Sequence, residues 1–252
     1  MINIQEKEIH LVYKKLGETP KECADRYKLE NPVLKNTALT YVGRLDPMAE
    51  GLLIFITTDI LEKRGEFLSL PKTYVFEILW GLQTDTGDVL GMIENEKLKV
   101  PTEEQIKKVL DKNLGEFSQK YPIYSSEPVK GKPLFVWARE GKVSEIEIPE
   151  HVVSLYEAKF LERREITPLD LFEQIKEKIS KVKGDFRQDE IISKWQDVLK
   201  DKIQNLVIDK IEVSVISGFY IRQFVPDLAD SLGNCALVNH IIRTKVGDYQ
   251  LL

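Results

Sequence analysis

Gly43-Arg44-Leu45-Asp46-Pro47-Met48-Ala49-Glu50-Gly51 is the stretch that decides how this chain is read. It sets one carboxylate, Asp46, between Leu45 and Pro47, just ahead of the apolar run Leu52-Leu53-Ile54-Phe55-Ile56. Tyr41 and Val42 lead in with strand propensity, and Pro47 suits the first position of a helix or a type I turn. An acid at such a corner is well placed to face a ligand, because packing on both sides fixes its backbone. Leu-Asp-Pro alone is more often an ordinary turn. The rest of the chain changes that balance.

Three further blocks follow in a fixed order. Lys72-Thr73-Tyr74 precedes Gly81-Leu82-Gln83-Thr84-Asp85-Thr86-Gly87-Asp88, which closes at Gly91. Next come Tyr121-Pro122-Ile123-Tyr124-Ser125-Ser126, Lys130-Gly131-Lys132-Pro133-Leu134 and Trp137-Ala138-Arg139-Glu140-Gly141. The last is Ser217-Gly218-Phe219-Tyr220-Ile221-Arg222, then Asp227-Leu228-Ala229 and Leu232-Gly233. Together the four blocks resemble the TruB family of pseudouridine synthases, whose pattern runs G-x-LDP-x-A-x-G, K-x-Y…G-x-x-TDT-x-D-x-x-G, P-x-x-SA-x-K-x-x-GKPLYE-x-AR-x-G and KGTYIR…DL-x-x-x-LG. The resemblance covers roughly residues 10–160 and 206–250. Any one block is weak, and four in order at fitting intervals are specific.

The resemblance implies isomerisation of a uridine in structured RNA, with the T-loop uridine at position 55 of tRNA as the family substrate. Another tRNA or ribosomal RNA site, or an RNA-binding or RNA-folding protein without catalysis, are the alternatives. The reaction needs no redox cofactor, metal or ATP, and the chain offers no glycine-rich phosphate loop and no metal-ligand cluster. It needs one ionised carboxylate, as nucleophile or as stabiliser of a sugar cation, and the resemblance gives that role to Asp46. Desolvation beneath a flipped base would neutralise it, and a guanidinium opposes this. Arg222, matching the arginine of TYIR, is the candidate partner, and Arg44 is a second. Tyr74 matches the K-x-Y tyrosine, where a ring can stack on extruded uracil for about 1–3 kcal/mol or simply fill core. Tyr220 matches the TYIR tyrosine, beside Asp46 and Arg222 or in core. Lys130 and Lys132 fall on an expected RNA-facing loop, giving charge rather than base recognition.

Three positions depart from the family pattern. Tyr41 stands where a histidine is usual and can still wedge and stack, Val42 replaces a threonine, and Arg44 replaces a small residue. If the segment is extended, residues 44 and 46 share a face, so Arg44 can reach the RNA or the carboxylate.

A chain of 252 residues can bury one large or two small cores. With 42% hydrophobic and 31% charged residues it reads as a soluble globular protein, and no run approaches the roughly 18 apolar residues a membrane helix needs. No signal-peptide pattern opens the chain, and Cys23 and Cys235 are too few for a disulfide framework or a zinc site. A cytoplasmic monomer is the expectation. His10, His151 and His240 form no ligand-spaced set. The net charge of −5 argues mildly against a nucleic-acid partner, but local charge decides a binding face. Lys130, Lys132, Arg139 and Lys142 cluster, and Arg243 and Lys245 read as further surface cations.

The patterning predicts strands over Ile9–Lys14, Thr73–Trp80, Val152–Phe160 and Asp209–Ser217. It predicts helices after Thr19-Pro20, over Thr102–Leu114, and over Pro226–Leu232 closing at Gly233. The fold class is therefore α+β, around a mixed, mainly antiparallel sheet. Residues 162–205 differ, with ten acidic and ten basic side chains. Leu169, Phe172, Ile175, Ile179 and Val182 recur at helical spacing, and after Gly184 so do Ile191, Ile192, Trp195, Val198, Leu199 and Ile203. This predicts a helical hairpin inserted at 162–205 into a catalytic domain formed by 1–161 and 206–252. No room is expected for the C-terminal PUA domain common in bacterial TruB proteins. The hairpin either supplies RNA contact in its place or is structural.

Overall fold

A computed structural model describes residues 8–97 and 99–251. Strand β1 (Ile9–Lys14) leads through the capping box of Thr19 and Glu22 into α1 (Pro20–Glu30). Then come β2 (Leu39–Val42), β3 (Ala49–Thr57), α2 (Arg64–Ser69), β4 (Lys72–Trp80), and the short pair β5 (Leu82–Thr84) and β6 (Ile93–Glu96). Helix α3 (Glu103–Lys112), capped by Thr102, precedes β7 (Gly115–Lys120), the small hairpin β8 (Pro128–Val129) and β9 (Lys132–Pro133), and α4 (Leu134–Arg139). The long strand β10 (Glu150–Ile166) feeds the helical pair α5 (Pro168–Ser180) and α6 (Gln188–Leu199). The chain returns through β11 (Leu206–Val215), α7 (Ile221–Ser231), β12 (Ala236–Val246) and β13 (Tyr249–Gln250).

The main sheet runs β1-β3-β12-β4-β11-β10-β7, with β2 on β3 and β13 on β12. Its pairings are antiparallel except β3 with β12, which is parallel, so the sheet is mixed and mainly antiparallel. Strand alternation sends side chains to opposite faces of the sheet, and two of the core clusters flank the site. Phe76, Ile78 and Trp80 of β4 pack with Val213, Ile106, Phe224 and Val225 under α3 and α7. Leu79 packs instead with Ile208, Leu237 and the apolar stripes of α5 and α6. The hairpin helices cover both each other and the body: Trp195 is fully buried, and its indole N–H donates to the Val89 carbonyl at 3.2 Å.

Two boundaries and one whole strand differ from the sequence reading. The strand expected over Val152–Phe160 continues to Ile166, paired with Leu206–Lys210 of β11, and the helical segment then begins where Thr167-Pro168 reads as a helix start, with Thr167 as the N-cap. Helix α7 starts at Ile221, five residues ahead of Pro226, which lies inside it. A proline there removes the helical bond to the carbonyl four residues back, that of Arg222. Strand β12 escaped the reading altogether: its polar Asn239, His240, Arg243 and Lys245 conceal the pattern of a central strand.

Candidate active site

The Asp46 turn is gripped from two sides. Leu45 and Ala49 sink into the core beneath α7, while Met48 enters the core beneath the hairpin. The Ala49 N–H closes the turn on the Asp46 carbonyl at 3.0 Å, and the Gly17 N–H holds the Pro47 carbonyl at 2.8 Å. With its neighbours so anchored, Asp46 is left with a carboxylate 38% exposed.

That carboxylate meets Arg222, whose Nε donates to Asp46 Oδ2 at 2.8 Å. Arg222 is only 6% exposed, and both of its terminal nitrogens donate as well. One terminal nitrogen donates to the Thr86 carbonyl at 2.9 Å and the other to the Tyr124 carbonyl at 3.3 Å. Asp88 Oδ2 lies 3.6 Å from Nε. Each of the four sequence blocks thus supplies a group to one guanidinium: Asp46, Thr86 with Asp88, Tyr124, and Arg222 itself. Burial alone would lower the Arg222 pKa, but Asp46 and Asp88 outweigh it and the pKa is raised. Burial pushes the Asp88 carboxyl up, opposed by Arg222 and by donors from the Thr86 hydroxyl and the Leu90 N–H, both at 2.9 Å.

Gly87 makes this convergence possible. It has φ +74°, and a Cβ there would lie 2.2 Å from the Arg222 carbonyl oxygen. That carbonyl is the one Pro226 releases from helical bonding, so a close glycine and an internal proline act on the same atom.

Two buried cations complete the frame. Lys14 is fully buried and donates to the Ala49 carbonyl at 2.6 Å. Burial lowers its pKa to about 8, against the pull of Asp46. Arg243, 1% exposed, donates to the carbonyls of Leu52 (2.8 Å), Gly43 (3.2 Å) and Arg44 (3.4 Å). It is therefore not the surface cation its sequence context suggests. The parallel register sets Arg243 opposite Gly51, where φ is +105° and a Cβ would meet the Arg243 carbonyl at 2.4 Å.

Residues 32–188, more than half of the sequence, match the model of the "TruB family pseudouridylate synthase (N terminal domain)". This chain belongs to the TruB family. Among curated relatives, the tRNA pseudouridine synthase B of Borrelia garinii subsp. bavariensis is 29% identical over 211 residues, which cover 84% of this chain and 60% of that protein. The tRNA pseudouridine synthase 4 of Schizosaccharomyces pombe is 26% identical over 284 residues, covering 90% and 69%. The chain thus spans about 60% of the length of bacterial relatives such as the Borrelia garinii subsp. bavariensis and Caldanaerobacter subterraneus subsp. tengcongensis proteins. Among solved structures, a chain of a Cbf5-Nop10-Gar1 complex superposes with a TM-score of 0.59 at 16% identity, covering 96% of this chain and 50% of its own. A chain of an H/ACA RNP bound to a substrate RNA containing 2'-deoxyuridine gives 0.55 at 17% identity, covering 96% and 48%. At such identities the likeness shows the fold alone, and it agrees with the mixed α+β sheet.

The other residues singled out from the TruB pattern fall in different places. Tyr74 lies on the β4 face of Phe76 and packs, half-buried, against the core that holds Leu45, Ala49 and Ile221. Tyr220 precedes α7, with its backbone N–H and carbonyl both held by the Gln119 amide at 2.9 and 3.1 Å. Burial first, then Tyr121 and Asp46, push its hydroxyl up to about 12. The rings of Tyr121 and His151 stack at 4.1 Å and meet Tyr220 edge-on at 5.7 and 5.9 Å, an aromatic group that sequence reasoning missed. Arg44 is exposed and bonds the Ser126 hydroxyl, leaving Asp46 to Arg222. Tyr41 packs with Val12, Cys23, Leu53 and Phe55 under α1, apart from the Arg222 group. Lys130 donates to the Glu145 carbonyl at 3.1 Å, and Lys132 pairs with Glu140 at 2.9 Å and lies 4.5 Å over the Trp137 ring.

Among the described residues no group of three or more His, Cys, Asp or Glu could hold a metal ion, and no helix is long and apolar enough to cross a membrane.

Proposed function

We propose that this chain isomerises uridine to pseudouridine in structured RNA, and that its target is the T-loop uridine at position 55 of tRNA. The observation that carries the reading is the meeting of all four blocks on the Arg222 guanidinium, with Asp46 as the exposed member of the ion pair. Family membership and relatives named as tRNA pseudouridine synthases support the same substrate class.

In this reading the uridine leaves its stack, at a cost of a few kcal/mol, and enters beside Asp46. The N1–C1′ bond breaks, the base turns, and C5 joins C1′; the C5 proton passes to solvent and N1 takes up a proton in its place, so the product is an isomer of the substrate. Asp46 is the nucleophile, or the charge that stabilises the sugar cation, and Arg222 keeps it ionised as the site dries. Tyr74 supplies a ring for stacking on the base, and the loop of Lys130 and Lys132 contributes cations to the RNA backbone. A protein that only bound RNA would need neither the carboxylate nor its buried guanidinium.

The test uses tRNA transcript labelled with tritium at uracil C5. Isomerisation releases the label, and replacing the position-55 uridine by cytidine is expected to abolish release. Binding without release would contradict catalysis. Release that persists in the cytidine transcript would move the target elsewhere.

A further inference from the structure

We infer that Arg187, at the tip of the helical hairpin, is a positioning residue for the Arg222–Asp46 pair. The inference rests on the function proposed above. Arg187 adopts φ +61°, a left-handed conformation that residues other than glycine rarely take. Its side chain reaches out of the hairpin to Asp85 Oδ2 at 2.8 Å, and its guanidinium lies 5.2 Å over the Tyr124 ring. The Tyr124 hydroxyl donates to the same Asp85 oxygen at 3.2 Å, while Asp85 Oδ1 accepts the Met92 N–H at 2.8 Å. One side chain therefore ties together Asp85 and Tyr124, which come from two different blocks.

Those are the blocks whose carbonyls hold Arg222. Tyr124 offers its own carbonyl, and Thr86, next to Asp85, offers the other. If either segment drifts, the Arg222 fork loses an acceptor and its Nε is no longer aimed at Asp46. The tip is itself braced. The Gln188 amide donates to the carbonyls of Gly184 (2.7 Å) and Val182 (3.2 Å) and accepts the Phe186 N–H at 2.9 Å, and Arg139 donates to the Asp185 carbonyl at 3.3 Å. An ordinary exposed ion pair contributes little. This one differs because Asp85 is only 15% exposed and also accepts a backbone N–H.

The experiment compares wild type with Arg187→Ala and Arg187→Gln, and with Lys183→Ala as a control from the same hairpin, where Lys183 is 81% exposed. Three readouts are taken: single-turnover tritium release, RNA affinity, and hydrogen exchange of the Arg222 Nε–H followed by NMR. Both Arg187 variants are expected to release label at least tenfold more slowly, with affinity within twofold of wild type. The Nε–H is expected to exchange at least tenfold faster, while Lys183→Ala behaves as wild type. Release within twofold of wild type, unchanged Nε–H exchange, or a loss matched by an equal loss of RNA affinity would each overturn the inference. Because Nε–H exchange requires no turnover, it decides the point even if wild type releases no label, a result that would count against the proposed function alone. If the alanine variant fails to fold, the glutamine variant is judged by the same criteria.

Discussion

Arg222 and Lys132 are both cations paired with carboxylates, yet they sit in opposite surroundings. Arg222 is 6% exposed, and its fork is filled by Asp46 and two carbonyls. Lys132 is 35% exposed and shares Glu140 with Lys142, itself 50% exposed. A buried guanidinium must be fully paired, so it fixes the geometry of everything it touches. A rim lysine exchanges its partner at little cost and can move onto a phosphate. The molecule thus separates a rigid charged centre from an adaptable charged rim.

Removing the buried cation should break this contrast most severely. Arg222→Ala leaves Asp88 buried without its charge partner, and about 3–5 kcal/mol of stability is expected to go, measured by urea unfolding. Tritium release should fall below detection even where the variant remains folded. Gly87→Ala comes next, since its methyl would meet the Arg222 carbonyl. A loss of about 1–3 kcal/mol is expected, with slower release in the folded fraction.

A comparable effect concerns Lys178, which bonds the carbonyl and side chain of Asn239 at 2.9 and 3.0 Å, near Glu77 and Arg164. Burial lowers its pKa from 10.5 to about 8. Between those values the unfolded chain holds a proton that the folded one has lost, so this lysine makes stability rise with pH from about 8 toward 10. Its expected share of the rise is roughly 1–3 kcal/mol, and Lys178→Met should lessen the slope in denaturant titrations without abolishing it, because burial lowers Lys14 and Lys72 to about 8 as well. The smallest stability change belongs to the rim. Lys132→Ala should alter stability by less than about 0.5 kcal/mol, while weakening RNA binding and lowering its salt slope by about 1.

The centre was legible because its acid and its arginine each stand in a block with a fixed pattern, and Asp46 and Arg222 do meet. Its support was less legible. Arg243 looks like a surface cation until β12 is placed beside β3, because its acceptors are backbone carbonyls that any sequence possesses. Lys14 is hidden for the same reason. The start of α7 is hidden because Pro226 reads as a helix beginning, whereas here it lies inside the helix and frees a carbonyl that Gly87 approaches. Strand β10 runs past its expected end at Phe160, where a bulge at Phe160/Glu162 interrupts its alternation. The amphipathic stripes of α5 and α6 were readable, but the reach of Arg187 to Asp85 depends on the backbone at one tip residue.

The most direct test of the central claim is tritium release by Asp46→Asn under single-turnover conditions, with RNA affinity measured in parallel. The carboxylate is exposed and the amide is isosteric, so the fold and affinity are expected to hold while release falls by at least about a thousandfold, a loss of roughly 4 kcal/mol in transition-state stabilisation. Turnover within tenfold of wild type would contradict the account.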